Sequence, residues 1–275
     1  MTISIPEQQY ADLPNGLRIH YQEEGKASRA VVFIHGSGPG ASGFSNFKGN
    51  FRWIAHHGFR CIVPDLPGYG LSAKPVDRAY VLDFFVETLR QLLDTLRVDR
   101  CVLIGNSLGG AIAMKLALDQ PHRVGQLVLM GPGGLEEREV YFRMEGIQRM
   151  MTDFAGGALD RQGMRRLLTL LVHDPCHVTE ELLDERVPIV NMQPKEVLST
   201  MRVPNLTERL PELRMPVLGF WGVNDRFCPA SGAMKILEHC PNARFTLLNR
   251  CGHWVMVEHV DLFNHTTLDF LRRNL

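Results

Sequence analysis

The chain has 275 residues, with 30 Lys and Arg against 30 Asp and Glu, and 45% of it is hydrophobic. That length accommodates one large α/β domain with room for an inserted segment, and the apolar share is enough to fill a core. Zero net charge gives no electrostatic reason to expect nucleic acid or an anionic membrane as a partner, while leaving room for a local cationic spot facing an anionic substrate.

The opening MTISIPEQQY lacks a basic region followed by an apolar one, so no secretory leader is expected. No apolar run approaches the roughly 20 residues that span a bilayer, and a cytoplasmic protein without membrane attachment is expected. Residues 8–23 read as a β-hairpin, with Asn15-Gly16 as a pair suited to φ > 0 in a tight turn. Apolar, β-branched runs at 30–34, 60–63, 101–104, 127–130, 217–221 and 244–248 read as buried strands. Helical patterns at 80–96, 108–119, 231–240 and 260–273 alternate with them. The fold class is therefore α/β, a mostly parallel sheet with helices on both faces.

The alternation breaks over 134–205, where Arg- and Met-rich helical segments appear without a clear strand. The expected organisation is a core of 1–133 and 206–275 with a helical lid of 134–205 over the carboxyl edge of the sheet, where ligands bind in such folds. Cys61, Cys101, Cys176, Cys228, Cys240 and Cys251 form no C-x-x-C pair, which argues against a disulfide framework or a zinc site. Several fall in strand runs and read as inert core residues.

The strongest motif is Gly105-Asn-Ser107-Leu-Gly109, a G-x-S-x-G between a strand run and a helical run. A strand-to-helix turn this sharp forces Ser107 into strained backbone angles and lifts its hydroxyl above the sheet. Gly105 and Gly109 are expected because side chains would collide there. The Leu108 N–H, at a helix start, is a natural donor to an oxyanion. A serine hydroxyl needs a base. His253, in Cys251-Gly-His-Trp254, and Asp225, in Gly222-Val-Asn-Asp-Arg226, follow the last two strand runs in the order Ser, Asp, His of α/β-hydrolases. The carboxylate would fix the imidazole tautomer. A second oxyanion donor is expected from the loop His35-Gly36-Ser37-Gly38-Pro39-Gly40. That loop lacks both G-x-G-x-x-G and a following Gly-Lys-Ser/Thr, so it does not read as a phosphate site. Asp65-Leu-Pro-Gly-Tyr-Gly70 reads as a structural turn lining the pocket floor.

Together these residues resemble the α/β-hydrolase superfamily over the whole chain. A narrower resemblance is to the meta-cleavage product hydrolases, which hydrolyse C–C bonds in bacterial aromatic degradation. It is carried by His35-Gly-Ser-Gly-Pro-Gly-Ala-Ser-Gly-Phe-Ser-Asn46, Gly105-Asn-Ser-Leu-Gly-Gly110, Leu129-Met-Gly-Pro-Gly-Gly134, Asn224-Asp-Arg-Phe-Cys-Pro229 and Cys251 to His259. Asn before the nucleophile combined with Trp after the histidine is more specific than the triad. The resemblance implies an oxyanion hole from the Ser37 and Leu108 amides. It implies a dienoate site using Asn46, Asn106 and Trp254, with Gly36, Gly38 and Phe227 as further substrate-binding positions. In the segment Thr179-Glu-Glu-Leu-Leu-Asp-Glu-Arg186 it implies that Arg186 holds a carboxylate. Leu108 stands where Met or Phe is more usual, and the lid is shorter than in biphenyl-pathway members, so the substituent at C6 is left open.

Substrates of that family are 2-hydroxy-6-oxo-hexa-2,4-dienoates. Hydrolysis there must make a carbanion leaving group tolerable, so the dienol ketonises before Ser107 attacks the C6 ketone. No metal or organic cofactor is expected, the partner is a small anionic dienoate, and homo-oligomer formation is left open. The alternative is a carboxylesterase or lactonase with the same triad, which would need no carboxylate anchor. Serine at the elbow disfavours a dehalogenase, and a ligand receptor on this fold would hydrolyse slowly.

Overall fold

A computed structural model of the chain describes residues 8–155 and 159–273. Residues 1–7, on which the expectation of no leader falls, and 156–158, inside the expected lid, lie outside that set. In chain order the elements begin with β1 (Gln9–Asp12), β2 (Arg18–Glu24), β3 (Ala30–Ile34), α1 (Gly43–Phe47), α2 (Phe51–His56), β4 (Arg60–Pro64) and α3 (Leu82–Thr95). Next come β5 (Cys101–Asn106), α4 (Leu108–Asp119) and β6 (Val124–Met130). Between β6 and β7 (Val217–Gly222) stand α5 (Arg138–Tyr141), α6 (Glu145–Ala155), α7 (Arg161–Leu171), α8 (Glu180–Val190) and α9 (Glu196–Ser199). The chain then makes α10 (Gly232–His239), β8 (Ala243–Leu248), α11 (Val255–Glu258) and α12 (Val260–Arg273).

The sheet order is β1-β2-β4-β3-β5-β6-β7-β8, antiparallel at β1/β2 and β2/β4 and parallel from β4 to β8. From β3 the chain passes to β4 on one side, then crosses back to β5 on the other. The loops after β3 and β5 therefore diverge at their carboxyl ends, and such a switch point opens the crevice in which this fold class binds ligands. The glycine-rich loop and the Ser107 elbow are those two loops.

Strand alternation splits the core. Val32 and Ile34 of β3 face α3, α4 and α10 with Leu103, Leu127 and Leu129, whereas Val31 and Phe33 face α2, α11 and α12 with Val102, Ile104 and Phe220. The second cluster continues into the insertion through Met164, Leu167, Leu168, Leu182 and Leu183, so α7 and α8 are packed onto the core. Among the described residues, no helix is long and apolar enough to cross a membrane.

The hairpin forms, but its turn is wider than Asn15-Gly16 alone. The Gly16 N–H donates to Leu13 O at 2.9 Å and the Leu13 N–H to Leu17 O at 2.8 Å. Gly16 has φ 82, while Asn15 is not among the positive-φ residues. Pro14, with its fixed φ, opens the turn, and Gly16 supplies the left-handed residue that follows.

Asp65, buried at the end of β4, ties this hairpin to the site loops. Its carboxylate accepts from His20 Nδ1, the Gly43 N–H and the Leu71 N–H, each at 2.8 Å. Burial alone would raise its pKa, but the His20 hydrogen bond and charge, His35 and the Leu71 N–H outweigh it and hold the carboxyl below its usual value. Asp65→Ala leaves two buried donors, on His20 and Gly43, and the half-buried Leu71 N–H unpartnered, at about 1–3 kcal/mol for each buried one. Urea denaturation is expected to show a loss of at least about 3 kcal/mol, with Asp65→Asn losing less.

Candidate active site

Ser107 sits between β5 and α4 at φ 57 and ψ −119. A Cβ on Gly105 would lie 2.3 Å from Gly109 O, and one on Gly109 would lie 2.0 Å from Ile34 O, so both collisions expected from the sequence are backbone collisions that no rotamer relieves. The glycine-rich loop rides directly over the elbow, and a Cβ on Gly36 would stand 3.1 Å from Ser107 Cβ.

His253 follows β8 and is almost wholly buried. Its Nδ1 lies 2.7 Å from Asp225 Oδ2. Asp225 Oδ1 accepts from the N–H groups of Phe227 at 2.7 Å and Cys228 at 2.9 Å, which fixes the carboxylate that orients the ring. The Phe227 ring lies against the imidazole, with centroids 5.2 Å apart. The other buried aspartate near the site, Asp65, pairs with His20 and not with His253. The Ser107 hydroxyl makes no hydrogen bond to His253, although both side chains line the same cleft. Bonds between nucleophile and base are often loose in an empty site and tighten on binding.

Ser107 and Ser37 lie where two cavities meet. The larger, about 380 Å³, is mainly apolar, with Leu108, Tyr141, Phe142, Ile147, Met150 and Leu198 in its wall. The smaller holds only about 20 Å³, room for one water. Gly36, Gly38, Asn46, Asn106, Arg186, Phe227, His253 and Trp254 all line it. Every residue expected to bind substrate is thus gathered at one cleft. None of Asp65–Gly70 lines either cavity. The expected pocket-floor role is corrected, because Asp65 turns inward to hold the hairpin and the loop at Gly43.

Arg186 projects from the face of α8 that also buries Leu182, Leu183 and Val190. Its guanidinium is 1% exposed, yet no carboxylate pairs with it among the described residues. Nη2 donates to Asn46 Oδ1 at 2.6 Å and Nη1 to Pro39 O at 3.3 Å, while Nε has no partner. The guanidinium carbon lies 4.8 Å from the Trp254 ring centre. Burial pulls its pKa down to about 9, with the Glu185 charge opposing, so it is still cationic at neutral pH. Asn106 presents a second unpartnered atom: its Nδ2 donates to Met130 O and His253 O, and its buried Oδ1 has no donor.

A profile described as the alpha/beta hydrolase family matches residues 31–266. A 2-hydroxy-6-oxononadienedioate/2-hydroxy-6-oxononatrienedioate hydrolase of Burkholderia vietnamiensis is 37% identical over 94% of this chain and 92% of its own length. A 2-hydroxy-6-oxo-6-phenylhexa-2,4-dienoate hydrolase of Burkholderia cepacia is 36% identical over 94% and 92%. The chain belongs to the meta-cleavage product hydrolases of the alpha/beta hydrolase family. In three dimensions it is similar to a meta-cleavage product hydrolase of Pseudomonas fluorescens, with TM-score 0.86, 27% identity, and coverage of 97% of this chain and 98% of that one.

Sequence reading missed the supports of this meta-cleavage hydrolase site. The N–H groups of His253 and Trp254 donate to Leu171 O, so the end of α7 carries the histidine loop. The Glu258 carboxylate receives the N–H groups of Gly252 and His173, both at 2.6 Å, and joins the same two segments. A backbone acceptor such as Leu171 O leaves no residue-type signature. Glu258 lay inside the quoted histidine motif and was the one detectable signal.

Gly109→Ala tests the elbow. Its Cβ must displace the Ile34 and His35 carbonyls in the centre of the sheet. The expected outcome is a loss of more than about 3 kcal/mol in chemical denaturation, or failure to accumulate as folded protein.

Proposed function

We propose that the protein hydrolyses the C5–C6 bond of 2-hydroxy-6-oxo-hexa-2,4-dienoate-type ring-cleavage products in aromatic compound degradation, giving a 2-hydroxypenta-2,4-dienoate and a carboxylic acid. The observation that carries this reading is the buried, unpaired Arg186 guanidinium beside Ser107. A buried charge without a partner costs several kcal/mol, and an anionic ligand end would supply that partner. The names of the relatives place dienoates and dienedioates in the same substrate class.

On this reading the substrate C1 carboxylate meets Arg186, with Asn46, Asn106 and Trp254 around C1–C2. Charge-assisted pairing there favours the keto form, whose conjugated 2-oxo acid can accept the electron pair that C5–C6 cleavage releases. His253 relays the proton to C5. The Ser107 hydroxyl gives up its proton to His253 and attacks the C6 carbonyl, and the Ser37 and Leu108 amides receive the oxyanion. C5–C6 cleavage releases the dienoate and leaves an acyl-serine, which water activated by His253 hydrolyses. The C6 substituent occupies the 380 Å³ cavity. The 20 Å³ cleft must widen for the dienoate end, and Ile147 and Met150, which line both cavities, are the side chains placed to yield. Residues 134–205, whose described part carries both of these side chains and Arg186, act as the lid. The scattered free thiols support a reducing compartment, the cytoplasm.

Ser107→Ala is expected to fold normally and lose product release by at least about 10³-fold, followed as loss of the yellow dienolate. Near-normal release would remove covalent serine catalysis.

Arg186→Gln separates this reading from an esterase with the same triad. On a 2-hydroxy-6-oxo-dienoate, kcat/KM is expected to fall at least about tenfold, because a charge-assisted pair is worth roughly 1.5–3 kcal/mol. Hydrolysis of nitrophenyl acetate, which offers Arg186 no carboxylate, should barely change. Equal losses on both would point to damage of the fold, and no loss on either would remove the anchor.

A further inference from the structure

His35 follows β3 directly and is fully buried. Its Nδ1 lies 2.7 Å from Gly36 O, and the Leu66 N–H donates to its Nε2 at 3.0 Å. A carbonyl only accepts, so the proton is on Nδ1; a backbone N–H only donates, so Nε2 is bare. The ring is therefore neutral and in one tautomer. Burial agrees, pulling its pKa down to about 4 against Asp65 and the Gly36 hydrogen bond, with Arg186 adding to the lowering.

Gly36 O belongs to the same peptide group as the Ser37 N–H. No described peptide bond is cis, and in a planar trans peptide C=O and N–H point in opposite directions. Holding the oxygen on one side therefore aims the amide to the other. The next peptide is held as well, because the Tyr69 hydroxyl donates to Ser37 O at 3.2 Å. The Tyr69 ring packs edge-on to His35 at 5.3 Å, with an interplanar angle of 74°. Behind the loop, the Gly40 N–H donates to Gln193 Oε1 at 2.9 Å.

We propose that His35 and Tyr69 are positioning residues for the oxyanion hole: His35 grips the carbonyl of the peptide that carries the Ser37 N–H, Tyr69 grips the carbonyl of the peptide that follows, and together they fix the direction of that N–H. The inference rests on reading Ser37 N–H as an oxyanion donor. It explains why a polar ring is buried immediately before Gly36 although it touches no substrate-lining space. A glycine-flanked loop left to itself samples several peptide orientations. A donor contributes in the transition state only if it is already aimed when charge develops.

Two substitutions divide the two hydrogen bonds of His35. In His35→Asn the amide nitrogen stands near the Nδ1 position and still donates to Gly36 O, but Leu66 N–H loses its acceptor. In His35→Gln the amide oxygen reaches the Nε2 position and keeps Leu66, but Gly36 O loses its donor. The inference expects His35→Gln to keep its Tm within a few degrees while kcat falls about 10- to 100-fold with KM unchanged, the pattern of an interaction made only in the transition state. His35→Asn is expected to melt lower yet keep kcat within about threefold where folded. Tyr69→Phe, which removes only a hydroxyl, should lower kcat several-fold without loss of folding. Binding of a phenylboronic acid that adds to Ser107 should weaken in step with kcat, while affinity for 2-hydroxypenta-2,4-dienoate does not change.

Activity that follows Tm across the three variants, or full kcat in both His35→Gln and Tyr69→Phe, would overturn the proposal. All assays run in parallel on nitrophenyl acetate, which needs the same oxyanion hole. A wild type that hydrolyses this ester and not the dienoate would discard the carbon–carbon reading while leaving the His35 test intact.

Discussion

Ser107 holds a backbone conformation that a residue with a Cβ rarely adopts, at a cost of order 1–3 kcal/mol, and the surrounding chain is arranged to impose it. Its N–H donates to Met130 O, and its carbonyl receives the N–H groups of Gly110, Ala111 and Gly133. The backbone from β5 through the elbow into α4 is thereby tied to β6 and to the loop that leaves it at Gly133. Glycines at 105 and 109 remove the side chains that would push β3, β5 and α4 apart. Around this point α4 is buried on nearly every side, so the helix start is fixed in place and with it the Leu108 amide. The opposing loop is placed by the same closeness, because Gly36 lies against Ser107 Cβ and brings Ser37 to the cavities that Ser107 also lines.

Buried charge is handled in two ways in this molecule. Asp65 and Asp225 each have a histidine and two backbone donors, so their charge is matched within the protein. Arg186 has a carbonyl, an amide oxygen and an indole face, which hold its orientation without neutralising it. Cation–π contact and neutral hydrogen bonds contribute about 1–2 kcal/mol each, less than removing a guanidinium from water costs. The imbalance is local to the cleft, and on the proposed reading the substrate carboxylate corrects it. α8 is held in place for this by Leu182 and Leu183 in the core and by Gly40, whose Cβ position is only 2.5 Å from Arg186 O.

Much of this was legible in the sequence because it depends on side-chain type at fixed spacing. The strand runs at 30–34, 101–104 and 217–221 became β3, β5 and β7, and the 108–119 and 260–273 patterns became α4 and α12 with the same ends. The elbow glycines, the Asp-His pair and the cleft residues around Arg186 were legible for the same reason. Features built from backbone groups were not. Leu171 O beneath His253, the Gly36 carbonyl under His35 and the hydrogen bond from Tyr69 to Ser37 O depend on where the chain passes, and any residue supplies a carbonyl. The hairpin turn was misjudged because Asn15-Gly16 was weighed without Pro14, which shifts the turn by one residue.

The asymmetry about Ser107 bears on which bond a triad of this kind can cut. An ester carries its own leaving group, and an oxyanion hole with a base is sufficient for it. A C–C bond yields a carbanion unless the departing fragment is already prepared to hold the charge, so stabilisation has to act several bonds away from the carbonyl under attack. Here the cation, the unpartnered Asn106 oxygen and the Trp254 face lie on one side of Ser107, and the roomy apolar wall lies on the other. A site that needed only acyl chemistry would gain nothing from burying a guanidinium in the cramped side. The cramped side also excludes bulk water, so a carboxylate seated there interacts with Arg186 at low local dielectric, where the same pair is worth far more than at the surface. Proposed widening at Ile147 and Met150 followed by their return would couple substrate entry to that exclusion. The energy of pairing a buried charge would then be released at the place where the departing electrons must go.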